Sequence, residues 1–393
     1  MKIVDVTEFY SERGGGIRSH LTLRGHFLCQ RGHDHVVIAP GPRNEDAPLR
    51  AGVAPDEPTS RLVRFAGPAL PYDRTYHLLG RFDKIRERVR AERPDVLEAH
   101  SPYLASAAIL ASGRNAARTR TAFWHADHVG TYAKPALQRR FGPRLAEKAT
   151  DVLWQAVRAM LSPFDATFVA GRAQADRLRA AGVPHVVHVP FGIDSSVFHP
   201  GARREEERSA LIGGSSEATA LLVGVGRFAF EKRWDVVLRA FARVREHRPA
   251  VLVLFGDGPE RERLEAQAPR GVRFAGFEHD RTALATALAT ADLLVHGCPY
   301  ETFGIGVAEA VASGLPVVVP DSGGAADSAD PACGETYASL DANACAAAIE
   351  KMLARNPNEL RARAIEAAAR VPTTEQHFAS VLSAYGDLLR DKG

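Results

Sequence analysis

The sequence predicts an α/β protein made of two Rossmann-like domains, and three observations predict it. Short apolar runs rich in Val, Leu and Ile alternate with stretches of helical periodicity along almost the whole chain. That alternation is the pattern of parallel sheets with helices on both faces. It breaks once, near Val189-Pro190-Phe191-Gly192-Ile193-Asp194, and then starts again. A length of 393 residues exceeds what one ordinary core holds and suits two domains of comparable size.

In the first half, residues 3–6, 36–39, 62–65, 96–99, 121–124 and 167–170 read as strands. Helical patterns fall at 17–30, 78–90, 104–112, 135–160 and 171–181. The stretch 41–60, rich in Pro, Asp and Glu, is expected to be an exposed, mobile loop. From the break to residue 216, the charge run 203–208 and Gly213-Gly214-Ser215-Ser216 read as a linker with a surface insertion. The second series has strands at 221–225, 251–255, 272–274, 293–296 and 316–319. Its helices fall at 233–245, 260–268, 281–289, 306–312 and 342–354. A last helical stretch, 374–389, follows Pro372 and carries Phe378, Val381, Leu382, Tyr385 and Leu388 at helical spacing.

A composition of 45% apolar and 25% charged residues is that of a soluble globular chain. No apolar run reaches membrane-spanning length and a strand pattern opens the chain, so neither a signal peptide nor a transmembrane helix is expected. Cys29, Cys298, Cys333 and Cys345 show no paired spacing, which fits a reducing cytoplasm and no zinc site. Charge is uneven: residues 1–200 carry 28 Lys and Arg against 20 Asp and Glu, the remainder 22 against 27. A basic first half is either a plain solvated surface or one that meets an anionic partner, a membrane or an acidic acceptor.

In open parallel sheets ligands gather beyond the carboxyl ends of the strands, and the chemistry-bearing residues fall there. After the first strand, Gly14, Gly15 and Gly16 open a helix and allow close backbone approach to a ligand. The G-x-G-x-x-G spacing is absent, and no acidic residue follows the second strand, so a nicotinamide dinucleotide site is disfavoured. His125, in Phe123-Trp124-His125-Ala126-Asp127-His128, ends the fifth strand and could act in catalysis, by hydrogen-bonding a sugar hydroxyl or supporting charge, or simply fill a structural place. Neighbours on so tight a loop seldom converge on one ion.

In the second half, Gly226-Arg227 and Glu231-Lys232 follow the first strand. Arg227 and Lys232 stand five apart across a turn and can converge on one anion, Arg as a fork and Lys as a point charge. Gly256-Asp257-Gly258-Pro259 is a permissive turn after the next strand. The organising stretch is Tyr300-Glu301-Thr302-Phe303-Gly304-Ile305-Gly306-Val307-Ala308-Glu309, a strand-to-helix corner. A helix N-terminus offers N–H groups to a phosphate, and Glu301 and Glu309 can accept from sugar hydroxyls. Taken alone it could equally be an ordinary corner with two solvated glutamates.

Together, these segments resemble the family 4 glycosyltransferases of GT-B fold. Glu301-x7-Glu309 is similar to that family's retaining-transferase motif, and Gly226-Arg227 with Glu231-Lys232 to its diphosphate-binding segment. Gly256-Asp257-Gly258-Pro259 and Val272-Arg273-Phe274-Ala275-Gly276-Phe277 match the next two loops, Val189 to Asp194 the hinge, and His125 the histidine near the donor sugar. The resemblance covers nearly the whole chain. It departs at Phe191, where Asn is common, and at Gly306, unusual early in that helix.

The resemblance implies two Rossmann-like domains, 1–191 for the acceptor and 192–372 for the nucleotide sugar, with an interdomain cleft and a C-terminal helix, 373–393, crossing back to the first. It implies transfer of a hexose from a nucleotide-diphosphate sugar with retention, and no metal or other cofactor; an Asp-x-Asp motif is absent. Arg227 and Lys232 would neutralise the leaving diphosphate, and Glu301 with the backbone of Phe303, Gly304 and Ile305 would hold the sugar. Glu309 would hold the ribose, Gly15 and Gly16 would line the donor–acceptor junction, and Gly226, Gly256, Asp257, Phe277 and Thr302 would complete the nucleotide-sugar site. GDP-mannose is the favoured donor and a UDP-sugar, for glucosyl or sulfoquinovosyl transfer, the alternative. With the basic segment 134–148, a glycan or lipid-linked acceptor is expected, no nucleic acid, and a cytoplasmic chain with peripheral membrane contact through the basic half. A non-catalytic nucleotide-sugar-binding protein and a sugar epimerase on the same fold are the competing readings.

Overall fold

The computed structural model describes residues 1–11, 16–49, 59–71, 73–214 and 219–392. They form two compact units, one of Met1–Ala170, Gln174–Val189 and His377–Gly393, the other of Gly171–Ala173 and Pro190–Gln376.

The first unit runs β1 (Lys2–Val6), α1 (Gly16–Gln30), β2 (Asp34–Gly41), β3 (Glu45–Pro48), β4 (Arg61–Ala66), α2 (Phe82–Glu92), β5 (Val96–Ala99) and α3 (Leu104–Ala111). It continues with β6 (Thr119–Trp124), α4 (Lys134–Phe141), α5 (Pro143–Leu161), β7 (Ala166–Val169), α6 (Arg172–Ala180) and β8 (Val186–His188). The strands lie in the order β3-β4-β2-β1-β5-β6-β7-β8, parallel throughout except for the antiparallel edge pair β3–β4. Both faces are covered, so β1, β5, β6 and β7 are buried on both sides: Ile3, Val4, Leu97, Phe168 and Val169 have no exposed surface, and the polar residues Asp5, Glu98 and Thr121 are enclosed with them.

Three sequence expectations are corrected here. The stretch 41–60 is not all loop: residues 45–48 form an edge strand, and Leu49 is buried; residues 50–58 lie outside those described. Its charges disguised it, because an edge strand buries little and Arg64 and Arg61 answer Glu45 and Asp46 across the pair. The helix expected over 135–160 is two helices, broken at Gly142 (φ 78°), with Pro143 opening the second. Strand β8 was not read at all; its three residues, all half-buried, carry too short a pattern.

The second unit runs α7 (Glu205–Ile212), β9 (Ala220–Val225), α8 (Trp234–His247), β10 (Ala250–Phe255), α9 (Arg261–Gln267), β11 (Val272–Gly276) and α10 (Arg281–Thr290). It goes on with β12 (Leu293–Val295), α11 (Ile305–Ala312), β13 (Val317–Pro320), β14 (Gly334–Tyr337), α12 (Ala342–Leu353) and α13 (Pro357–Ala368). Its sheet is wholly parallel, in the order β11-β10-β9-β12-β13-β14. The order reverses between β9 and β12, and a doubly wound sheet opens its ligand crevice at that point.

The linker expected up to residue 216 contains α7, whose Arg208 forks onto Asp292 while Asp292 also accepts from the Leu221 N–H. Helix α13 and strand β14 were missed. The helix had a readable start: Asn356 caps the N–H groups of Asn358 and Glu359, and Pro357 takes the first position.

The last helix, α14 (Thr374–Arg390), packs on the first unit from His377 onward. The stripe read from the sequence supplies Phe378, Val381, Tyr385 and, in place of Leu388, Leu389 as buried residues.

Candidate active site

The crevice end of the second sheet is built by backbone before side chains. The loops after β9, β10 and β11 are laced together: the Gly226 N–H bonds to Phe255 O at 3.0 Å and the Gly256 N–H to Gly276 O at 2.7 Å. Phe228, wholly buried, donates its N–H to Asp257 O and accepts that of Glu260. The approach is too close for any side chain at residue 256, where a Cβ would stand 2.0 Å from Gly226 O and φ is 145°. Trp234 Nε1 then donates to Arg227 O at 3.0 Å and fixes the turn. The Arg227 side chain is left exposed and, among the described residues, makes no ion pair.

Across the switch point, β12 leads through His296 and Cys298 to Glu301. Lys232 Nζ donates to Glu301 Oε1, and His296 Nε2 lies 3.3 Å from the same oxygen. Burial alone would raise the Glu301 pKa, but the Lys232 ammonium and His296 outweigh it and hold the carboxylate ionised well below its usual range. Burial likewise opposes charge on Lys232, and the Glu301 carboxylate keeps it protonated above its usual value. His296, Cys298 and Glu301 bring one potential ligand atom each within 4.8 Å of one another. The Lys232 ammonium already occupies the carboxylate of that trio, so a divalent ion would meet a fixed positive charge there.

After Glu301 the chain turns at Gly304, which has φ 87° and caps α11. The N–H groups of Val307 and Ala308 share Gly304 O, so those of Ile305 and Gly306 precede the first helical bond and face outward with the dipole. The glycine turn after β13 supports this corner: the Gly324 N–H bonds to Glu301 O, and a Cβ on Gly324 would lie 2.4 Å from Thr302 O. Glu309 is buried one turn further along α11, and its carboxylate accepts from Arg281 Nη2. Burial pushes the Glu309 carboxyl up, and Arg281 only partly offsets it.

Gly226, Arg227, Lys232, Gly256, Asp257, Phe277, Glu301, Thr302, Phe303, Gly304, Ile305 and Glu309 thus all follow β9, β10, β11 or β12 at the one carboxyl end. Phe277 is 65% exposed just beyond β11, a flat apolar face in water. The sequence reading missed Arg281, His296 and Ser322 to Gly324. A Gly-Gly after a strand was the one legible signal among them.

In the first unit His125 follows β6, with its Nε2 at 2.8 Å from His100 Nδ1. Its ring stacks on Phe123 at 4.5 Å, and His20 stands edge-on at 5.1 Å. Burial, then the neighbouring His100 and Arg24, hold its pKa well below the ordinary histidine value, so it is a neutral imidazole. Gly16 is the first residue of α1 and exposed; Gly15 lies outside the described residues.

Two family descriptions match: Glycosyltransferase Family 4 over residues 14–197 and Glycosyl transferases group 1 over residues 206–371. The chain is 32% identical to a GDP-mannose-dependent alpha-(1-6)-phosphatidylinositol dimannoside mannosyltransferase of Mycobacterium tuberculosis, covering 98% of this chain and 96% of that one. It is 27% identical to a GDP-mannose-dependent alpha-mannosyltransferase of Corynebacterium glutamicum, over 83% of this chain and 74% of the relative. Among solved structures, sucrose-phosphate synthase of Thermosynechococcus elongatus superposes with a TM-score of 0.76 at 19% identity, with all of both chains covered. HepE of Anabaena, in complex with UDP, gives 0.72 at 16% identity, over 98% of this chain and 100% of that one.

Proposed function

The chain belongs to glycosyltransferase family 4, with the GT-B fold, and on that premise we propose that it moves mannose from GDP-mannose to a hydroxyl of a lipid-linked acceptor. Transfer retains configuration at the anomeric carbon and uses no metal. The observation that carries this reading is the cluster at the switch point of the second sheet. There an exposed Arg227, without an ion pair among the described residues, and a charged Lys232 follow β9 at the sheet end where the first N–H groups of α11 and an ionised Glu301 follow β12.

Each part has a task that follows from its chemistry. The diphosphate gains a further negative charge on the departing oxygen as the bond from the anomeric carbon lengthens, and Arg227 and Lys232 stabilise that charge until the acceptor's proton neutralises it. Lys232 has three donors, so it can keep Glu301 and still reach a phosphate oxygen. Glu301, acceptor-only, accepts hydrogen bonds from hydroxyls of the sugar, and the backbone from Phe303 to Ile305 offers N–H groups to the remainder. Glu309, close to α11's first turn, accepts from the ribose, and Phe277 offers a face to the base. The acceptor oxygen bonds on the face the phosphate leaves, and its proton passes to the departing phosphate oxygen. His125, neutral, suits a hydrogen bond to a hydroxyl and not charge stabilisation. The lipid-linked acceptor implies work at a bilayer surface, consistent with the basic first half; among the described residues no helix is long and apolar enough to cross a membrane.

The test is turnover of GDP-mannose against UDP-sugars, with EDTA present, on a phosphatidylinositol mannoside acceptor, with the anomeric configuration read by NMR. An α-mannosyl product with EDTA present is expected. A product from UDP-sugars alone replaces the donor, an inverted product removes the mechanism, and donor binding without turnover on any acceptor favours a binding protein.

A further inference from the structure

We infer that the hairpin of α4 and α5 is the element that docks this protein on an anionic phospholipid bilayer. Helix α4 buries none of its residues. Helix α5 is buried along Ala146, Thr150, Trp154, Val157 and Leu161, one stripe at helical spacing, and the opposite side should be polar. It is only partly so: beside Lys148 and Gln155, Leu145, Ala149, Val152 and Ala156 succeed one another there at spacings of four, three and four. Leu145 is 59% and Val152 62% exposed, and Phe141, at the end of α4, is 55% exposed. Of the thirteen exposed large apolar side chains among the described residues, five lie between Tyr132 and Leu153. Single exposed apolar residues need no explanation; a contiguous stripe does.

Charge identifies the occupant. Residues 134–148 hold Lys134, Arg139, Arg140, Arg144 and Lys148 against one acid, Glu147. Among the described residues Lys134, Arg140, Arg144 and Lys148 make no ion pair; on α2 Lys84 and Arg88 are paired with Glu87 and Glu92, while Arg86 and Arg90 are not. Unanswered cations beside exposed apolar side chains match a lipid surface, where phosphates meet the cations and Phe141, Leu145 and Val152 enter the acyl boundary. A second copy of the chain would set this patch against itself and oppose its own cations. A nucleic acid would leave the aliphatic stripe in water.

The hairpin starts six residues after His128, through the helical segment Val129–Ala133 that leads into α4, so a lipid headgroup held there lies close along the chain to the His125 loop. The inference deepens the lipid-linked acceptor reading and rests on it for its purpose, although vesicle binding itself needs neither donor nor acceptor.

The experiment is co-sedimentation of the full chain with vesicles of phosphatidylcholine alone or with phosphatidylglycerol added. Binding is expected to the anionic vesicles only, and to weaken with salt. Arg144→Glu with Lys148→Glu should lower the partition coefficient by at least about tenfold, on the ~fivefold that each surface cation contributes. Leu145→Ser with Val152→Ser should lower it at unchanged salt dependence, and both pairs, lying on exposed surface, should melt like the parent. No binding by the parent overturns the proposal, as does equal binding by the variants. A parent dimer that both variants dissolve would also overturn it, because the patch would then be a self-interface. Vesicle binding as expected without turnover on any glycolipid supports the docking surface and removes the acceptor reading instead.

Discussion

Both units carry a charged cluster inside the molecule, and the two are finished to different degrees. In the first unit, Arg24 is wholly enclosed. It lies 3.2 Å from Asp5, pairs with Glu98, and donates to Tyr385 Oη at 2.6 Å. Glu98 Oε2 also accepts from Tyr385 at 2.8 Å and Thr121 at 2.7 Å, and Asp5 Oδ2 faces His35 at 2.8 Å. Of these carboxylate oxygens only Asp5 Oδ1 has no hydrogen bond, and the Arg24 charge stands 3.2 Å from it; the network ties α14 to α1 and β5. In the second unit Lys232 and Glu301 answer each other, while Arg227 and the first N–H groups of α11 point outward. A closed network holds an element in place, and an open one is left to be completed by a ligand. Charge alone does not distinguish structure from function; the unspent donors do.

The sharpest way to break the comparison is Arg24→Met. It strands two buried carboxylates, so a loss of about 3–5 kcal/mol is expected, read by chemical denaturation as early melting of the first unit. Arg227→Ala should do the reverse. Catalysis should fall on the order of 10²–10³-fold in kcat, while stability moves within about 0.5 kcal/mol of the parent, as for other exposed positions. Equal destabilisation by the two changes would erase the distinction.

Gly256→Ala should fall between them. The new Cβ meets Gly226 O at a φ disfavoured for alanine, so a loss of about 1–3 kcal/mol is expected, with weaker donor binding because the Arg227 turn shifts with it. The comparison is gentlest under acid. His20 and His125 have pKa values well below 6.5, chiefly through burial. The unfolded chain therefore takes up their protons first. Their contribution to stability is complete above about pH 6.5 and declines as pH falls from there toward the folded values. Glu301 has its pKa lowered from 4.5, so its contribution persists until pH falls below 4.5. Acid should therefore loosen the first unit before the second. Tryptophan fluorescence separates them, since Trp124 and Trp154 report on the first unit and Trp234 on the second. Loss of the Trp234 signal first would contradict the assignment.

How much was legible follows from reach along the chain. Parallel strands buried on two faces announce themselves, and so do glycine turns and capped helix starts, because their causes lie within a few residues. The Glu301 to Glu309 corner and the Arg227 to Lys232 turn were readable for that reason. The edge strand β3 was not, since its charges are explained only by partners on β4. Arg281 went unread, because only the fold sets its guanidinium over Phe198 and within reach of Glu309.

The sequence by itself therefore determined the two doubly wound sheets and the placing of the chemical residues at strand ends, because hydrophobic period and turn chemistry are local. Tertiary structure alone decided which charges are answered. Arg24 finds Glu98 at a separation of 74 residues and Tyr385 at 361, and Lys232 finds Glu301 at 69. Whether a charge is buried, paired or left for a ligand depends on neighbours that only the folded chain brings within a few ångströms.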